Sequence, residues 1–196
     1  MFIETEETPN PATMKFLPVG KEVMGDAGTL DFAKDSPSTV RSPLAEALFA
    51  ISGVVRVFLG RDFISVTKAN HTEWEDLRGQ VFGVLMDYFT TGQPIVLEGE
   101  GVKEASAPDL AECEAQNPDE AAIITQIKEL LDTRIRPAVA TDGGDIVYRG
   151  YHNGVVRLTM QGACSGCPSS RATLRHGVEN LLRHYIPEVV AVEQVD

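Results

Sequence analysis

Gly162-Ala163-Cys164-Ser165-Gly166-Cys167-Pro168-Ser169-Ser170 stands between a strand and a helix, and the fold of the second half is read outward from it. Upstream, Ile146–Tyr151 and Val155–Met160 alternate apolar and polar residues, the period of strands. Asn153-Gly154 between them is a type I′ hairpin signal, because both central residues of that turn need positive φ. Asp142-Gly143-Gly144-Asp145 reads as a turn. A helix beginning near Asp119 sets Ile123, Ile127, Leu130, Leu131 and Ile135 on one face, and Pro137 is expected to end it. Downstream, a helix carries Leu174, Val178, Leu181 and Tyr185 on one face, and Val189–Val195 is a last strand. The order helix, strand, strand, helix, strand is too small for a doubly wound fold and suits one sheet with helices on one face.

The first half reads as another α+β unit. Phe2–Thr5 and Met14–Leu17 are short strands around Pro9-Asn10-Pro11. Ser42-Pro43 opens a helix, Ser as N-cap and Pro at the first helical position, with Leu44, Leu48 and Ile51 as its apolar stripe and Gly53 as its stop. Val54–Leu59 and Phe63–Lys68 form a hairpin across Gly60-Arg61-Asp62. A second helix follows, with Thr72 and Glu75 as a capping box, Trp74, Leu77, Val81, Leu85 and Tyr88 as a core stripe, and Gly92 at its end. Residues 99–118 have no period and little apolar content, and read as a flexible linker. The expected architecture is α+β: two small α/β-sandwich-like domains, 1–98 and 119–196, joined by 99–118.

The chain has 196 residues, 43% of them apolar, and a formal charge of −12. That balance repels a phosphate backbone and argues against nucleic acid as partner. No run approaches the roughly 18 apolar residues of a membrane span, so no membrane partner is expected. Met1–Asn10 is acidic and lacks both an apolar stretch and an Arg-rich pattern, so a protein kept in a reducing compartment is expected. Three cysteines, an odd number, do not form a disulfide framework. Residues 1–100 carry 8 Lys and Arg against 15 Asp and Glu, whereas residues 119–196 carry 8 against 10. The less acidic second half better suits a site that gathers thiolates.

Cys164-Ser165-Gly166-Cys167 is the dense metal- or redox-competent cluster of the sequence. The glycines allow close backbone approach, and the N-terminus of the following helix is expected to favour thiolate over thiol. Four readings compete. A thioredoxin-like thiol–disulfide pair also sits between strand and helix, although that fold places it early and here 29 residues follow Cys167. A structural zinc site needs four ligands, and His176 and His184 read as exposed helix polars. The pair can be incidental. A shared iron–sulfur cluster takes four thiolates, which two copies of the motif supply across a two-fold axis. Cys113, between Glu112 and Glu114, reads as an incidental exposed cysteine. Asp142 and Asp145 read as turn residues rather than paired carboxylates. No phosphate-binding loop, dinucleotide fingerprint or nucleophile elbow is present, and no catalytic residues are assigned, so a protein without turnover is expected.

The motif from Gly162 to Ser170 resembles the cluster-binding motif of NifU-like C-terminal domains, and Arg136-Pro137-Ala138-Val139-Ala140-Thr141-Asp142-Gly143-Gly144-Asp145-Ile146 resembles the same domain's helix end and glycine turn. Thr8-Pro9-Asn10-Pro11-Ala12-Thr13-Met14-Lys15-Phe16, and Ser42-Pro43-Leu44-Ala45 through Gly53-Val54 to Val66-Thr67-Lys68, resemble the Nfu N-terminal domain. The resemblance implies an Nfu-type iron–sulfur scaffold or carrier. In that family Cys164 and Cys167 would pair with their counterparts in a homodimer to hold a labile [4Fe–4S] cluster, with [2Fe–2S] as the alternative nuclearity. Upstream cluster-assembly proteins would supply the cluster and apo iron–sulfur proteins would receive it. The N-terminal domain would serve partner recognition. Eukaryotic members carry a mitochondrial targeting segment; with none visible here, a bacterial cytoplasmic member is expected.

Overall fold

The computed structural model describes residues 2–34, 42–97, 118–165 and 168–195. The linker expected over 99–118, Cys113, Gly166 and Cys167 lie outside the described residues, Pro118 of the linker excepted. The chain divides into two compact units, Met1–Ala105 and Ser106–Asp196, both α+β.

The first unit is an antiparallel five-stranded sheet backed by two helices. Its strands are β1 (Ile3–Glu7), β2 (Thr13–Pro18), β3 (Leu30–Ala33), β4 (Val54–Leu59) and β5 (Ile64–Lys68), in the spatial order β1-β2-β5-β4-β3. Alternation sends Met14, Phe16, Val57, Leu59, Ile64 and Val66 into the core. There they meet Leu44, Ala45 and Leu48 of α1 (Pro43–Phe49) and Leu77, Val81 and Leu85 of α2 (Trp74–Thr91). Phe82 of α2 meets Phe16 edge to face at 5.6 Å. The other sheet face carries polar pairs beside Phe58 and Phe63: Thr13 bonds Thr67 at 2.8 Å, Lys15 pairs with Glu6 at 3.0 Å, and Arg56 pairs with Asp31 at 2.7 Å.

Ser42 caps α1 as expected, its Oγ accepting from the Ala45 N–H at 3.2 Å. Gly92, with φ +65°, ends α2 in the left-handed conformation. The capping box does not form. Glu73 is the N-cap of α2 with no side-chain cap bond, while the Thr72 carbonyl accepts from the Lys68 ammonium at 2.6 Å. β3 was not foreseen; as a four-residue edge strand it offers too short a pattern to read.

The second unit begins with α3 (Pro118–Leu130), a π-turn (Leu131–Ile135) and α4 (Arg136–Thr141). Pro137 therefore does not end the helix near itself. A proline lacks the N–H for its i−4 carbonyl and crowds it. The π-turn absorbs this: the Arg136 N–H reaches back five residues to the Leu131 carbonyl, and helix continues to Thr141. β6 (Gly144–His152) and β7 (Val155–Gly162) pair antiparallel through Asn153 and Gly154, with φ of +49° and +81°, the type I′ geometry. α5 (Pro168–Tyr185) then crosses over to β8 (Ala191–Gln194), which runs parallel to the central β7.

Ile127, Leu131, Ile135 and Val139 from the first helical run, Ile146, Val156, Leu158 and Met160 from the hairpin, and Val178 and Leu182 from α5 form the core. The stripe expected for α5 is one position off at its end. Leu182 is fully buried, whereas Tyr185 is 47% exposed beside Arg134 and His184. Ile186, just past the helix, fills the buried position instead.

Candidate metal centre

Cys164 follows directly from the end of β7. Gly162, with φ +63°, turns the chain out of the strand, and one 3-10 turn, Ala163–Ser165, carries the cysteine. Two bonds fix that turn. The Ser165 hydroxyl donates to the Gly162 carbonyl at 2.8 Å, and the Ala163 N–H donates to the Gly143 carbonyl at 3.1 Å. Gly143 (φ +81°) is in turn tied to the end of α4, its N–H donating to the Ala140 carbonyl at 3.1 Å. The glycine turn and the cysteine turn are thus laced together across the open end of the hairpin, where Gly144 pairs with Gly162.

Gly144 is set against the sulfur. A Cβ at this position would lie 2.7 Å from the Cys164 Sγ and 2.6 Å from the Gln161 carbonyl. No side chain fits there without displacement, so this glycine is required by close approach rather than by its dihedrals. The next residue, Asp145, is buried, and its carboxylate is gripped by Arg136. Nε donates to Oδ1 at 2.9 Å and Nη2 to Oδ2 at 2.7 Å, a bidentate fork. Oδ1 also accepts from the Ile146 N–H at 2.8 Å. Burial of a carboxylate without such partners would cost several kcal/mol, on the order of the 3–5 kcal/mol seen when one partner of a buried pair is removed. Asp132, one turn before Arg136, accepts from its Nη1 at 3.0 Å. The Asp145 bond is the chief reason the guanidinium holds its proton even more tightly than an ordinary arginine.

The expectation that Cys164 is poised as a thiolate is corrected. Its thiol is pushed up to about 12, first by burial and then by the negative charges of Asp142 and Asp145. In this conformation Cys164 is a buried protonated thiol, 5% exposed, and the low pKa of a reactive redox cysteine is not its property.

Cys164 is the cysteine that the described residues contain. Among those residues no group of three or more His, Cys, Asp or Glu side chains is placed to hold a metal ion. His176 and His184 are exposed on α5, as expected. No helix of the described residues is long and apolar enough to cross a membrane. In the sequence Arg136 carries no mark of a site residue, and Asp145 reads as a turn residue. Nine positions apart, at the start of α4 and near the start of β6, they give no local signal; the π-turn that faces one to the other is equally unmarked.

Comparison with known proteins covers both units. Residues 3–92 match the family described as "Scaffold protein Nfu/NifU N terminal", and residues 127–193 match the "NifU-like domain". The chain is 50% identical to "NifU-like protein 5, mitochondrial" of Arabidopsis thaliana, over 99% of this chain and 68% of that protein. It is 51% identical to "NFU1 iron-sulfur cluster scaffold homolog, mitochondrial" of Drosophila ananassae, over 100% of this chain and 64% of that protein. A solution structure of a NifU-like protein from Saccharomyces cerevisiae aligns with 50% of this chain and 86% of its own, at 22% identity and a TM-score of 0.46. The chain thus spans about two thirds of the length of these curated relatives. Both are named mitochondrial, which overturns the expectation of a cytoplasmic protein. The composition of the first ten residues carries no weight against that.

Proposed function

This chain belongs to the Nfu/NifU family of scaffold proteins, and from that membership we propose that it binds an iron–sulfur cluster as cargo and passes it to apo-proteins without catalysing turnover. The cargo is a labile [4Fe–4S] cluster held by Cys164 and Cys167 of each of two subunits. The domains run 1–98 and 119–196 about a linker over 99–118, the second bearing the site and the first serving partner recognition. Cluster donors upstream and apo iron–sulfur proteins downstream are its partners.

The observation that carries the reading is the donor arithmetic. One chain supplies a pair of thiols three positions apart in sequence, and a cluster takes four. Two copies of the motif across a two-fold axis supply the four. The donor chemistry fits the cargo, since soft thiolates select iron–sulfur clusters. The protonated state of Cys164 adds a condition: uptake requires the sulfur to lose its proton and to come out from against Gly144.

Anaerobic reconstitution with iron and sulfide tests this. Brown protein should carry about four iron per two chains, and its molar mass should be that of a dimer. Cys164→Ser and Cys167→Ser should each abolish the colour. Protein with both thiols free that retains no iron, or a holo form that is monomeric, would sink the reading.

A further inference from the structure

We propose that Arg136 and Asp145 are positioning residues for the cysteine site, their ion pair holding the Gly143-Gly144 turn against Cys164 and keeping the buried carboxylate beside the cargo neutralised. The inference rests on the carrier reading above and adds two residues to the same site.

Three consecutive residues make the connection. Gly143 accepts the N–H of Ala163, Gly144 sits where a Cβ would meet the Cys164 sulfur at 2.7 Å, and Asp145 takes the guanidinium fork of Arg136. The backbone that seats the sulfur is therefore anchored, one residue on, to the first residue of α4. The π-turn is what makes this possible. An extra residue in one helical turn rotates everything after it by roughly 100° relative to an uninterrupted α-helix. That rotation falls immediately before Arg136.

The pair also has an electrostatic part. Asp142 and Asp145 are both close enough for Cys164 to feel their charge. A cluster bound through thiolates brings more negative charge to the same place, and an unpaired Asp145 would repel it. Arg136 offsets that repulsion, and its delocalised, always charged guanidinium does so in a way that lysine cannot reproduce bidentately. An ion pair serving stability alone needs no such adjacency to the sulfur.

The test uses the full chain, reconstituted anaerobically, with Arg136→Met/Asp145→Asn as the principal variant. Removing both charges avoids stranding a buried carboxylate. Its iron-free form should melt close to the parent. Loaded, its visible absorption band should decay about tenfold to a hundredfold faster under a ferrous chelator, the effect typical of losing an outer partner of a metal ligand. In the iron-free protein, alkylation of Cys164 by iodoacetamide, followed by peptide mass, should also be faster than in the parent. A double variant that keeps its cluster as long as the parent, with Cys164 alkylated at the parent rate, overturns the proposal. Should the double variant not fold, Arg136→Lys carries the test. It keeps the charge and loses the fork, so faster release at unchanged melting is expected and parental release overturns the proposal. Parent protein that takes up no iron defeats the carrier reading itself, and this inference with it.

Discussion

Gly144→Ala tests the packing that seats the cysteine. The added Cβ would stand 2.6 Å from the Gln161 carbonyl and 2.7 Å from the Cys164 sulfur, where an ordinary contact begins at 3.4 Å. The strand and its neighbour must part by about 0.8 Å, the difference between 3.4 and 2.6 Å, or the sulfur must leave its seat. The carbonyl belongs to a backbone held in the β6–β7 ladder, so it cannot swing aside as a side-chain end could. Overpacking of this kind costs about 1–3 kcal/mol. Replacing glycine in a strand returns about 0.5–1 kcal/mol by restricting the unfolded chain. The net effect runs from about zero to a loss of about 2.5 kcal/mol, centred on about 1 kcal/mol. For a unit of this size each kcal/mol lowers the melting temperature by about 4–8 °C. Far-UV circular dichroism melting of iron-free protein reads it directly. Gly177→Ala is the matched control: that glycine lies exposed in α5 with nothing within 4 Å of a new Cβ. It should raise stability by about 0.5–1 kcal/mol, the helix-propensity difference. A Gly144→Ala protein more stable than the parent by the full glycine term of about 0.5–1 kcal/mol would refute the close-approach argument, because no other term in the balance is unfavourable.

Three further outcomes follow from named contacts. Ser42→Ala removes both the cap of α1 and the hydroxyl that donates to the Ile95 carbonyl at 2.7 Å, so the first unit should lose about 1–2 kcal/mol, read by Trp74 fluorescence in a urea titration. Leu182→Ala, at a fully buried position of α5, should cost the second unit about 2–5 kcal/mol by calorimetry, and a loss under 1 kcal/mol would mean the core of that unit closes elsewhere. In iron-free protein the Cys164 thiol is pushed up to about 12 against about 8.5 in an unfolded chain. A folded value above the unfolded one means that the stability held by this proton is complete below about pH 8.5 and is lost as pH rises toward 12. The denaturant midpoint should therefore fall more steeply with alkaline pH in the parent than in Cys164→Ala; equal slopes would show that the thiol is not buried in solution.

Much of the fold follows from local patterns. Asn153-Gly154 specifies its hairpin because two adjacent positive φ values admit few residues, and Ser42-Pro43 specifies a helix start because a side-chain acceptor and a fixed φ are both local properties. The five-stranded order of the first unit is a matter of long-range pairing, and its edge strand β3 is invisible until β4 is there to pair with it. Pro137 misled for a similar reason. Its cost in an α-helix is a local rule, but the π-turn that removes the cost is bought by the burial of Leu131, Ile135 and Val139 in one core.

The candidate site divides along the same line. From sequence alone, Cys164 and Cys167 stand out, because thiol pairs between a strand and a helix are a short-range motif with few meanings. Tertiary structure alone decided the ionisation of Cys164, since desolvation and the charges of Asp142 and Asp145 are properties of what surrounds a sulfur, not of what precedes it in the chain. It also decided that Gly144 must lack a side chain and that Arg136 grips Asp145, because both depend on residues brought together from a helix, a turn and a strand.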